Sequence, residues 1–86
     1  MSSAPVPTPA DFTTLVLSLS TSALMHLGEI PGEDGKPMPK NLALAAHTID
    51  LLAMLEDKTR GNLTGDEERI LSGVLYDLRL KYAAAR

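Results

Sequence analysis

The chain has no cysteine and no tryptophan, and its aromatic side chains are Phe12, Tyr76 and Tyr82 alone. Without cysteine there can be no disulfide staple, thiolate nucleophile or thiolate metal site. A chain of 86 residues must then hold together through a compact aliphatic core, a bound partner or a second copy of itself. The absence also fits a reducing setting, and a cytoplasmic location is expected. Basic runs are missing too. Lys and Arg are scattered and the net charge is −3, so neither a nucleic-acid footprint nor a polybasic membrane anchor is expected.

Chemistry-bearing patterns are equally scarce. His26 and His47 are the only histidines, and no HxxxH or ExxH spacing accompanies them, so a metal site would lack its ligands. His47 stands three residues before Asp50, which suggests a surface His–Asp pair. The segment Gly32-Glu33-Asp34-Gly35-Lys36 lacks the GxxxxGK[ST] pattern and the preceding strand of a phosphate loop. It also lacks the acidic ladder and closing Glu of a calcium-binding loop. Asp66, Glu67 and Glu68 stand where a helix start favours acid. No catalytic residue, cofactor or metal is expected, and the chain does not read as an enzyme.

The longest absence is one of charge. From Phe12 to Gly28 there is no Asp, Glu, Lys or Arg. Spanning a membrane takes about 20 predominantly apolar residues. This stretch is shorter and carries Thr13, Thr14, Ser18, Ser20, Thr21 and Ser22. The preceding Met1–Thr8 has no positive n-region, so a signal peptide is not expected either.

What is present reads as all-α. Residues 1–8 read as a flexible tail and 9–86 as one helical domain. Thr8 is the expected cap of a first helix over about 9–28, with Pro9 and Asp11 in its first turn and Gly28 as its stop. The loop 29–41 is broken by Pro and Gly, with Ile30 and Met38 as its pins to the core. Asn41 caps a second helix over about 42–60, ended by Lys58, Arg60 and Gly61. Thr64 and Glu67 form a capping box for a third helix over about 65–83. The short link predicts an antiparallel hairpin of the second and third helices, with Leu63 as its plug.

Helical spacing assigns faces. The first helix places Phe12, Leu15, Val16, Leu19, Ala23 and Leu27 on one core stripe. A second, heptad-like seam runs through Thr13, Leu17, Ser20 and Leu24. The second helix is apolar over more than half its circumference, Leu44 included, and reads as the central one. The third buries Ile70, Leu71, Val74, Leu75, Leu78 and Tyr82. Its far side aligns Arg69, Gly73, Tyr76 and Leu80, residue types that suit a contact surface. The surplus of apolar faces predicts a homodimer, a dimeric helical bundle that covers what one protomer leaves open.

The stretches Phe12 to Pro31 (FTTLVLSLSTSALMHLGEIP), Thr48 to Thr64 (TIDLLAMLEDKTRGNLT), Glu67-Glu68 and Leu75 to Tyr82 (LYDLRLKY) resemble the small bacterial family catalogued as domain of unknown function 1844. The resemblance implies a short, soluble, helical bacterial protein with no assigned activity. It carries over no catalytic residue, and it leaves Gly32–Lys40 as a variable loop. The expected role is a non-enzymatic, self-associating interaction or adaptor module with a protein partner still to be named. The alternative is a small-ligand or membrane-surface binding protein.

Overall fold

A computed structural model describes residues 11–31, 34–36 and 39–86. Three helices follow in order: α1 Phe12–His26, α2 Leu42–Lys58 and α3 Gly65–Ala85. Each packs against both others. The second helix is therefore not central as its composition suggests; the three share the core.

Each helix begins on a side-chain cap. Asp11 is the N-cap of α1, with extended backbone and a carboxylate that accepts the Thr14 N–H at 2.7 Å. It stands before the first turn, not within it, and α1 starts later than the Thr8–Pro9 signal suggests. Thr8, Pro9 and the tail 1–8 lie outside the described residues, as does Met38. Asn41 caps α2, accepting the Leu44 N–H at 3.0 Å. The capping box of α3 closes in both directions: Glu67 N–H donates to Thr64 Oγ1 at 3.1 Å, and Thr64 N–H donates to Glu67 Oε1 at 2.9 Å. These bonds satisfy amides that no helical carbonyl can reach.

The exits differ. Gly28 takes the left-handed conformation at φ 78° and closes α1 with two reversed bonds, Gly28 N–H to the Met25 carbonyl and Glu29 N–H to the Leu24 carbonyl. This is the Schellman arrangement. The Lys40 stem lies over Gly28, where an added Cβ would meet its Cγ at 3.1 Å. Asn41 N–H donates to the His26 carbonyl at 2.8 Å, so the exit of α1 and the entry of α2 are fastened and the intervening loop is closed at its base. The second helix ends at Lys58, earlier than Arg60; Thr59 is its cap, and Gly61 supplies the positive φ two residues on.

The core is aliphatic: Val16, Ala23 and Leu27 of the α1 region, Ala45, Ile49 and Leu52 of α2, and Leu71, Leu75 and Leu78 of α3. Thr48 is buried with them, and its hydroxyl donates to the Leu44 carbonyl at 3.0 Å. Ala23 and Ala45 are fully buried and both lie within about a turn of the His26–Asn41 junction, where methyl-sized side chains let two helix backbones come close.

The sequence assigns Leu15 to the core stripe of α1 and counts Leu44 in the broad apolar face of α2, and the structure leaves both exposed to solvent. Leu15 is 45% exposed and Leu44 is 44% exposed. The reason is angular. The buried line of α1 runs through Val16 and Ala23, and successive residues are about 100° apart, so Leu15 and Leu17 fall on opposite flanks. The expected buried residues of α3 are all buried or half-buried.

Candidate association surface

On α3, Leu71, Leu75 and Leu78 are drawn into the core, and the helix period turns a second set of residues the opposite way. Arg69, Gly73, Tyr76 and Leu80 are all exposed. Tyr76 is 68% and Leu80 54% open to solvent. Asp66 and Asp77 are exposed on the same face. Capping alone explains Asp66 from the sequence; the spacing 66–73–77–80 is the signal that also puts both acids on this strip.

The charges on the strip are paired along the helix. Arg69 reaches back to Asp66. Lys81 Nζ donates to both carboxylate oxygens of Asp77, at 2.8 and 2.9 Å. That hydrogen bond holds the Lys81 amine above its ordinary range, and the charges of Asp77 and Glu29 add to it. Such exposed intrahelical pairs contribute little to stability.

Gly73 is the anomaly of the strip. It lies mid-helix, where glycine costs about 0.5–1 kcal/mol relative to alanine. A Cβ placed on it would meet nothing within 4 Å. No packing within the protomer therefore calls for glycine there.

The seam expected on α1 is partly used by the chain itself. Thr13, Ser20 and Leu24 are half-buried, and Leu24 packs on the core. Leu17 remains 50% exposed. Beyond it the outer arc of Thr14, Ser18 and Thr21 is exposed and uncharged. The structure thus leaves Leu17 with an uncharged arc on α1 and a complete strip on α3.

Neither histidine belongs to either surface. His26 is half-buried and serves through its carbonyl at the α1–α2 junction. His47 is exposed, and among the described residues no hydrogen bond joins it to Asp50. Also among the described residues, no group of three or more His, Cys, Asp or Glu could hold a metal ion, and no buried side-chain N or O lacks a partner. A shallow cleft of about 180 Å³ lies at the α2–α3 turn, lined by Glu56, Thr59, Leu63 and Ser72 among others. That is smaller than the roughly 300 Å³ at which small-molecule pockets begin; a more open cleft lined by Ile49, Asp50, Arg79 and Tyr82 is about 300 Å³.

The family described as Domain of unknown function (DUF1844) matches residues 9–84. The chain belongs to this family. No curated protein and no solved structure matches it. The matched span of the DUF1844 chain holds α1, α2, all but the last residue of α3, and both surfaces described above. Among its described residues no helix is long and apolar enough to cross a membrane.

Proposed function

We propose that this DUF1844 chain is a non-enzymatic, cytoplasmic interaction module that self-associates and presents a second surface to a protein partner. The observation that carries the reading is the α3 strip: a mostly exposed tyrosine and a half-exposed leucine beside an arginine, with a mid-helix glycine that nothing in the protomer requires. Tyr and Arg are enriched where proteins meet. The uncharged arc of α1 around Leu17 is left for the other partner.

In this reading α2 and α3 form an antiparallel hairpin that serves as a rigid mount. Two juxtapositions support it: Ser72 Oγ stands 3.4 Å from Glu56 Oε2 near the turn, and Ile49 and Tyr82 line one cleft farther along. Light scattering on the purified chain at micromolar concentration should give the mass of a dimer. A monomer mass would remove self-association from the proposal.

A further inference from the structure

We propose that two copies of the chain pair through α3, antiparallel and two-fold symmetric about Gly73. This rests on the self-association reading and supplies its face and register.

Gly73 gives the position. A glycine in an exposed helix interior weakens the helix, and here the space above it is empty within the protomer. A partner helix crossing at this point would gain closer approach from the missing Cβ. Helix axes pack 8–10 Å apart depending on the side chains at the contact, and glycine permits the shorter end of that range.

Charge gives the partner and the direction. In an antiparallel helix pair that is symmetric about one residue, the position four before it stands level with the position four after it on the other copy, and both lie only about 40° from the contact line. Arg69 lies four residues before Gly73 and Asp77 four residues after it, and both are exposed on this face. Each Arg69 therefore meets Asp77 of the second copy, and symmetry makes the pair twice, about 6 Å along the axis on either side of the crossing. A parallel pairing in register would set Arg69 against Arg69 and Asp77 against Asp77. A second copy thus satisfies the strip in one orientation and is repelled in the other.

The apolar members of the strip fit the same arrangement. Arg69 and Tyr76 lie on one side of Gly73 around the helix, so the two-fold brings Tyr76 of the second copy beside the Arg69 guanidinium, where a cation–π contact forms. Leu80, seven residues after Gly73, stands level with Asp66 of the second copy, seven residues before it, so it extends the contact only at the rim. The present partners, Asp66 for Arg69 and Lys81 for Asp77, are surface pairs whose exchange costs little. The outer arc of α1 is uncharged and carries no comparable register.

Sedimentation velocity on the full chain tests this. Arg69→Asp alone and Asp77→Arg alone each place like charges opposite each other, and each should weaken dimerisation by roughly tenfold or more. An equimolar mixture of the two variants should recover dimers, because each chain then offers what the other lacks. Gly73→Ala should raise helix content by circular dichroism while weakening the dimer. All three positions are exposed, and circular dichroism checks that each variant folds. If both charge reversals dimerise as the unmodified chain does, while Leu17→Glu abolishes the dimer, the α3 pairing is overturned and the module reading survives. If the single variants dissociate but their mixture does not recover, the antiparallel register is wrong. A monomeric unmodified chain overturns self-association itself, and this pairing with it.

Discussion

Leu17 and Leu24 stand seven residues apart on one helix and carry the same side chain, yet their surroundings differ. Leu24 packs on the core cluster whereas Leu17 is half in water. Leu24→Glu should therefore lower unfolding free energy by about 1–3 kcal/mol, and Leu17→Glu should stay within about 1 kcal/mol of the unmodified chain. Urea denaturation compares them, and equal losses would show that the two positions are equally buried. Asp11 makes a prediction in pH. The Thr14 N–H bonded to its carboxylate, and the Thr14 side chain after it, hold Asp11 below the usual carboxylate range. A lowered folded value means its contribution is complete above the unfolded pKa and is lost as pH falls through the folded one. The window is acidic, and an NMR titration should place Asp11 below an aspartate in the unfolded chain. An ordinary midpoint would mean that the cap is open.

At the scale of the element, the starts of the helices follow from local chemistry. Thr64→Ala removes one half of the α3 capping box and should cost about 1 kcal/mol, read from the shift in denaturation midpoint. Thr64→Ser should retain most of it. Asn41, Thr64 and Gly28 act over three or four residues of chain, and such signals are legible without a fold. Two local signals competed at the start of α1. Thr8–Pro9 is the start expected from the sequence, with Asp11 in the first turn, and the structure instead uses Asp11 as the cap. The end of α2 shows the same competition. Arg60 suits a helix C-terminus by charge, but the chain leaves the helix at Lys58 and Arg60 pairs with Asp57 at 2.7 Å instead.

At the scale of the whole molecule, three helices meet around an aliphatic core, and close approach near the His26–Asn41 junction depends on small residues. Ala45→Leu should overpack this site and cost about 1–3 kcal/mol, a loss that thermal denaturation would register. A gain in stability would mean that the helices have room there. The uncharged outer arc of α1 also invites a membrane-surface reading. Interfacial helices usually set Lys or Arg on their polar face, and α1 has none. Flotation with anionic liposomes should leave the chain in the unbound fraction, and co-migration would favour the membrane reading over a protein partner.

The sequence by itself determined the all-α class, the three helices, the caps of α2 and α3 at Asn41 and Thr64, the stop of α1 at Gly28, the left-handed Gly61, and the buried line of α3. It also showed family membership through the stretches that resemble the family. These depend on neighbours a few residues away or on a strict helical period, and both are written along the chain. Only the tertiary structure decided that the three helices share the core equally, that Leu15 and Leu44 stay half in water, and that Leu24 turns inward while Leu17 does not. Those outcomes depend on where neighbouring helices cross, because a side chain about 100° from the buried line is covered or open according to what lies beside it. Gly73 belongs to this second group as well. Its place on the strip can be read from spacing, but the empty space above it appears only when the helices are packed together.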